Sequence, residues 1–229
     1  MTNLANNPVL VPTYQHPFPL NLGQAALLVI DMQNAFCNPD GFCGNELGAD
    51  LSPVRAIIPR IQRLISWARA HELLVIYTRE SHVPDLSDVT PSKKLRYINA
   101  GYPIASPGKM GRFLIQGEPG THLIDELQPL DTELQIDKPA QSVFVATDLA
   151  TILHQRNITH LLLSGVTTEC CVLGSYRHAS DLGFYCLLLE DCCAALNPGE
   201  HQAAIEVLLG ENGAIGWVTS SDNLLELPL

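Results

Sequence analysis

The sequence predicts an α/β protein, a doubly wound sheet of about six mainly parallel strands with helices on both faces in three layers. Three observations carry this. Short runs of continuous apolar residues recur along the chain, as expected of strands buried on both sides. Segments with apolar residues at helical spacing lie between them. The 229 residues, 46% hydrophobic with no break in composition, suit one domain spanning 1–229 with a substantial core.

Taken in order, residues 1–24 carry prolines at 8, 12, 17 and 19 and read as an extended N-terminal arm. Ala25 to Asp31 (AALLVID) is the first predicted strand. A helix follows, with Ser52 as N-cap, Pro53 at the first helical position, and Val54, Ile57, Ile58, Ile61, Leu64, Ile65 and Ala68 on one face. Leu73 to Thr78 and Leu134 to Asp137 are the next strands. Then a helix over 148–156, a strand over 160–164, a helix over 169–182, a strand over 185–190, a helix over 199–209 and a strand over 214–218 complete the alternation. Thr147 and Asn197 stand near helix starts, and Gly183 and Gly210 near helix ends. The stretch from Arg79 to Glu133 breaks the rhythm. It is long and rich in Pro and Gly, a composition expected to build or cover a site or to mediate subunit contact.

Composition narrows the function. The net charge of −11, from 24 acidic against 13 basic residues, comes without a basic stripe, so neither nucleic acid nor an anionic membrane is an expected partner. No window approaches the roughly 18 apolar residues of a membrane span, and the N-terminus lacks a basic segment followed by an apolar run. A soluble, cytoplasmic protein is expected. Seven cysteines, two pairs of them adjacent, form no zinc-type spacing and are expected to be reduced. No phosphate loop or dinucleotide fingerprint is present, and no cofactor is expected.

The most informative stretch is GVTTECCV, Gly165 to Val172. It follows a predicted strand and opens a predicted helix, where partial positive charge and unpaired N–H groups bias a thiol toward thiolate. Cys171 is the candidate nucleophile. Asp31 ends the first strand and Lys138 follows the third, and in open parallel sheets ligands gather at the carboxyl ends of the strands. Asp31 could then take the thiol proton and later activate water, with Lys138 holding both and the amides of Thr167 and Cys171 receiving an oxyanion. Each residue has a plainer reading: Asp31 as a turn residue, Lys138 as a solvated charge, Cys171 as a small buried hydrophobe.

DMQN at 31–34, DKPAQSVF at 137–144 and GVTTECCV at 165–172 together resemble the isochorismatase-like cysteine hydrolases, in order and at family-like spacing, from about Ala25 to the C-terminus. The resemblance implies a catalytic triad of Asp31, Lys138 and Cys171, with Cys170 a bystander, a cis peptide at Val166–Thr167, and a homo-oligomer, often a tetramer. TRESHVPDLSD, GEPGTHLIDELQPL, IDKPAQSVFVATDL and CLLLEDCCAA are similar to the biuret hydrolases and related ureide amidases, which implies hydrolysis of a terminal amide with release of ammonia. At Glu211 the chain departs from that subgroup, whose members place a substrate-binding Gln there. An ionised Glu only accepts hydrogen bonds, which favours a longer, donor-rich ureide such as triuret over biuret; the plainer reading is a solvated acid at a helix end. Phe36, Gln33, Asn34 and Arg79 are further candidate substrate contacts, and Glu80 beside Arg79 either reaches the pocket or joins a surface pair.

Nicotinamidases in the family carry an Asp-x-His-x-x-His zinc cluster where this chain has only His82, so no metal is expected. Four readings compete. They are a ureide amidase, a ureidoacrylate amidohydrolase, an isochorismate hydrolase that would need no thiol, and a non-catalytic or redox-sensing module on the same fold.

Overall fold

The structure is a computed structural model that describes residues 8–227. Its centre is a six-stranded sheet. Two short strands precede it, β1 (Val9–Val11) and β2 (Phe18–Leu20), paired antiparallel. Residues 8–24 are therefore not the extended arm the prolines suggested. They fold back as a hairpin because Val11, Phe18 and Leu20 are apolar and fully buried against the core, while residues 1–7 lie outside the described residues.

The sheet strands are β3 (Ala25–Ile30), β4 (Leu74–Glu80), β5 (Leu134–Lys138), β6 (His160–Val166), β7 (Tyr185–Ala194) and β8 (Trp217–Thr219). They lie in the order β5-β4-β3-β6-β7-β8, and every adjacent pair is parallel. All six predicted strands are present. β7 runs four residues past its predicted end, and the last strand starts at Trp217 because a 3-10 turn at Glu211–Gly213 takes up the chain before it.

The helices are α1 (Asn34–Cys37), α2 (Phe42–Asn45), α3 (Ser52–Ala56), α4 (Ile58–Ala70), α5 (Pro91–Asn99), α6 (Leu149–Gln155), α7 (Leu173–Asp181), α8 (Pro198–Leu209) and α9 (Ser221–Leu225). The single helix expected after β3 is split into α3 and α4 at Ile57. Pro59 sits in the first turn of α4 and has no N–H with which to continue the α3 ladder. Ser52 is the first residue of α3 rather than its cap, and its amide bonds to Asp50 Oδ1 at 2.8 Å. The predicted apolar face holds regardless: Val54, Ile57, Ile58, Ile61, Leu64, Ile65 and Ala68 are all buried. Each large aliphatic side chain buried in this way contributes about 1.5–3 kcal/mol.

Strand β3 shows why its sequence is apolar throughout. Ala25, Leu27 and Val29 pack with Ile61 and Leu64 of α4 and Leu224 of α9 on one face. Ala26, Leu28 and Ile30 pack with Leu149 of α6, Tyr176 of α7 and Ile205 of α8 on the other. From β3 the chain winds outward through β4 to β5, then returns to β6 on the opposite side of β3, so the winding reverses between the carboxyl ends of β3 and β6. At that reversal Gly165, with φ +113°, lets the strands close: a Cβ there would stand 2.1 Å from the Ile30 carbonyl oxygen.

Candidate active site

The chain leaves β3 through Asp31, whose φ of 51° turns the backbone sharply at the end of the strand. Its amide bonds to Thr78 Oγ1 and its Oδ1 accepts the Thr78 hydroxyl at 2.6 Å. Its Oδ2 forms an ion pair with Lys138 Nζ at 2.8 Å. Lys138, the last residue of β5, also donates to the Ala140 carbonyl at 2.9 Å and to Cys171 Sγ at 3.3 Å. Beyond β6 the Val166–Thr167 peptide is cis, and Thr168–Val172 forms a π-helical turn leading into α7. The Thr167 carbonyl accepts from the Cys170 and Val172 amides and skips Cys171, and among the described residues the Thr167 amide has no hydrogen-bond partner. The fold thus brings Asp31, Lys138 and Cys171 together, with the Thr167 peptide beside them.

A fourth side chain completes the cluster. Glu80, the last residue of β4, accepts the Cys171 thiol hydrogen at Oε2 across 3.2 Å and lies 3.6 Å from Lys138 Nζ. Its Oε1 is held by Lys93 Nζ at 2.5 Å and the Tyr97 hydroxyl at 3.2 Å, both from α5. Thr78 and Glu80 share one face of β4 and Arg79 the other, as strand alternation requires.

These contacts decide the charges. Burial alone would lower the Lys138 pKa, but Asp31, Cys171 and Glu80 outweigh it and keep the ammonium charged. Burial would likewise raise Glu80, yet Lys138 and Lys93 hold its carboxyl down at about 2. Asp31 moves the other way, because burial, with the Glu80 carboxylate adding to it, outweighs the pull of Lys138 and Thr78. Contact with the Cys170 thiol, burial and the two carboxylates push the Cys171 thiol well above its ordinary value. These groups oppose the thiolate expected from the helix start. The Cys171 sulfur lies in hydrogen-bond contact with Glu80 Oε2 on one side and Lys138 Nζ on the other.

Cys171 opens on a cavity of about 180 Å³. Glu80, Thr167, Glu169 and Cys170 supply its polar wall, and Phe36, Tyr97, Tyr102 and Phe113 its aromatic wall. Phe36 stands edge-on to Phe113, with ring centroids 6.4 Å apart. Glu169 Oε2 is buried without a hydrogen-bond partner, and burial raises its carboxyl pKa.

Of the other predicted contacts, only Phe36 reaches this cavity. Gln33 is fully buried and clasps the Glu80 backbone, accepting its amide at 2.8 Å and donating to its carbonyl at 3.2 Å, so it ties β3 to β4. Asn34 donates to the Pro119 carbonyl and accepts from Asn38. Arg79 points away and forms a two-bond pair with Asp137 at 2.8 and 3.0 Å. Glu211 is exposed at the opposite end of the sheet, because α8 starts near the carboxyl end of β7 and carries the chain back to the start of β8. Its neighbours there come from the hairpin, where Gln15 bonds to the Leu209 carbonyl and His16 to that of Asn212. Within this chain Glu211 does not contact the site.

Sequence reasoning left Glu80 between two readings and did not single out Lys93, Tyr97, Tyr102 or Phe113. Glu80 had a positional signal, since it ends β4 as Lys138 ends β5. Helix α5 also had one: Thr90 caps it by accepting from the Lys93 amide, and Pro91 stands at its start.

Asp31, Glu80 and Cys171 place ligand-type atoms within 4.8 Å of one another. The Lys138 ammonium lies within 3.6 Å of all three. His82 is buried beside Asp88, 3.3 Å from its Oδ2, and belongs to a separate cluster. None of the seven cysteines forms a disulfide. No helix of the described residues is long and apolar enough to cross a membrane.

Comparison with known proteins agrees with this architecture. The family model of the isochorismatase domain matches residues 25–223. A cysteine hydrolase from Pseudomonas syringae pv. phaseolicola superposes with a TM-score of 0.77 at 24% identity, covering 95% of each chain. An isochorismatase family protein from Desulfovibrio vulgaris gives 0.71 at 27% identity over 88% of this chain and 98% of its own. The nicotinamidase/pyrazinamidase PncA from Bacillus subtilis gives 0.68 at 26% identity over 86% of this chain and 100% of its own.

Proposed function

From a chain that belongs to the isochorismatase-like hydrolase family, we propose a cysteine amidohydrolase that cleaves the terminal C–N bond of a small, neutral, linear ureide such as biuret or triuret, with Asp31, Lys138 and Cys171 as its catalytic residues. The observation that carries this reading is the contact set of Lys138, 2.8 Å from Asp31 and 3.3 Å from Cys171, buried directly behind the small cavity that Cys171 lines. The raised Asp31 carboxyl is a stronger base than an ordinary carboxylate.

The chemistry runs in two halves. Asp31 takes the thiol proton as Sγ bonds to the amide carbon, and the carbonyl oxygen becomes an oxyanion facing the amides of Thr167 and Cys171. Asp31 returns the proton to nitrogen, the C–N bond breaks, ammonia leaves and a thioester remains. Water then gives a proton to Asp31 and its oxygen to the carbonyl carbon, the C–S bond breaks, and the thiol recovers its proton as the acid departs. Lys138 stays charged throughout and steadies the anion on either partner.

The cavity wall supports a neutral substrate rich in N–H groups. Glu80 and the unpartnered Glu169 Oε2 are acceptors, and four aromatic rings suit a flat molecule. Among the residues lining the cavity there is no lysine or arginine, and both nearby ammonium groups already face carboxylates. A carboxylate substrate such as ureidoacrylate would meet negative charge there, which counts against that alternative. With Glu211 away from the site, the argument for triuret over biuret loses its residue, and both stay in the proposal.

Ammonia release from biuret, triuret, ureidoacrylate and nicotinamide tests the reading. Turnover of the neutral ureides, absent in Cys171→Ala, is the expected result. Preference for ureidoacrylate or nicotinamide, or full activity without the thiol, would overturn it. By the same reading the protein works without a cofactor, in the cytoplasm, as a homo-oligomer, with a tetramer the expected assembly.

A further inference from the structure

Two carboxylates flank Cys171, and they are bound differently. Asp31 is held on both oxygens, Oδ1 by the Thr78 hydroxyl and Oδ2 by the ion pair with Lys138, and keeps acceptor capacity for a proton. Glu80 lines the cavity; its Oε1 is anchored by Lys93 and Tyr97, while its Oε2 holds the thiol hydrogen and faces Lys138 at the longer distance of 3.6 Å. The anchor is rigid. Lys93 is itself buried, starts from the capped first turn of α5, and bonds to the Pro139 carbonyl at 2.8 Å beside Lys138. A carboxylate at a cavity wall, anchored through one oxygen and holding only a weak thiol donor on the other, is the kind of acceptor that fixes an incoming –NH2 group.

We propose that Glu80 is a substrate-positioning residue whose Oε2 exchanges partners: it holds the Cys171 S–H in the free protein and receives the terminal –NH2 of the bound amide. The inference rests on the amidase reading above. The S–H···Oε2 bond breaks and an N–H···Oε2 bond forms, with no net transfer of protons. The thiol hydrogen is then free to turn to Asp31, whose carboxylate lies within 4.8 Å of the sulfur. Seating the substrate and arming the nucleophile become one event. Until then, the sulfur is held as an unreactive S–H group next to an anion.

The charged and titratable groups around the sulfur are Asp31, Glu80, Lys138 and the Cys170 thiol, with Lys93 and Tyr97 behind Glu80. In Glu80→Gln one anion is removed while Lys138 remains, so the thiol ionises more readily. The test pairs two measurements on the whole protein: the pH profile of Cys171 alkylation by iodoacetamide without substrate, read by intact mass in a Cys170→Ala background, and steady-state constants for biuret. The expected result is divergence. The alkylation midpoint moves down by about a pH unit or more, while kcat/KM for biuret falls at least about tenfold with KM raised.

A purely structural Glu80 would lower both reactivities together and leave the alkylation midpoint in place, and either an unmoved midpoint or an unchanged KM overturns the proposal. Glu80→Asp keeps the charge and withdraws the oxygens by one methylene. It carries the test if Glu80→Gln fails to fold, with raised KM and faster alkylation expected and wild-type values of both overturning it. If the wild type hydrolyses no ureide, the amidase reading fails on that ground. The alkylation profile still reports whether Glu80 holds the thiol.

Discussion

Thr78 and Asp31 hold each other from both sides, the Asp31 amide bonding to Thr78 Oγ1 at 3.2 Å and the hydroxyl returning its proton to Asp31 Oδ1 at 2.6 Å. The pair fixes the carboxylate at the point where β3 ends, and it stabilises the charged form against burial.

Thr78→Val keeps the shape and removes that donor. A hydrogen bond to a charged group contributes about 1.5–3 kcal/mol, so the Asp31 carboxyl should rise by about 1–2 pH units. The acidic limb of the kcat/KM profile for biuret should shift upward by that amount, with activity recovering at higher pH. An unshifted limb would show that Asp31 is not the base.

Lys138→Met removes the cation from between two buried carboxylates. Breaking a buried ion pair on one side costs about 3–5 kcal/mol, and the urea midpoint at neutral pH should fall accordingly. Without the ammonium both carboxyls rise, so the folded state binds more protons than the unfolded one and the variant should regain stability on acidification. A midpoint that falls equally at pH 5 and pH 8 would contradict this electrostatic account.

Glu80 gives the wild type the opposite trend. Its carboxyl is depressed from 4.5 to about 2 in the fold, so its contribution is complete above pH about 4.5 and is lost as pH falls toward 2. Acid unfolding followed by circular dichroism should show that loss across this window, and Glu80→Gln should flatten it.

Glu211→Gln should leave the ratio of biuret to triuret turnover unchanged within about twofold. The side chain is exposed at the far end of the sheet from Cys171, and surface substitutions of this kind shift stability by about 0.5 kcal/mol or less. A changed ratio would show that the residue acts on the site from outside this chain.

Much of this arrangement was legible in the sequence, for reasons that can be named. Continuous apolar runs marked the interior strands because a parallel strand there is buried on both faces, as β3 is, whereas the edge strand β5 (LQIDK) is half exposed and carries a weaker signal. The positions of Asp31, Lys138 and Cys171 just past three strands followed from the rule that such sheets gather polar groups at their carboxyl ends. Position could place a residue but not aim it. Gln33 and Asn34 sit beside Asp31 in sequence, yet backbone groups of β4 and of the long segment capture their side chains. The upward push on the Cys171 thiol was not visible in the sequence, because burial and the approach of Asp31 and Glu80, distant in sequence, arise only in the fold. Residues from the long Arg79–Glu133 stretch were the hardest to foresee, since α5 and the Phe113 turn reach the cavity through contacts no local periodicity announces.

The closure of β3 on β6 at Gly165 also bears on how this site could diversify. With the two backbones already at contact distance, the catalytic floor is a fixed jig whose width no side chain can adjust. New substrate ranges would have to be carved from the aromatic roof, by trimming Phe36, Tyr97, Tyr102 or Phe113, while the reaction beneath stays the same.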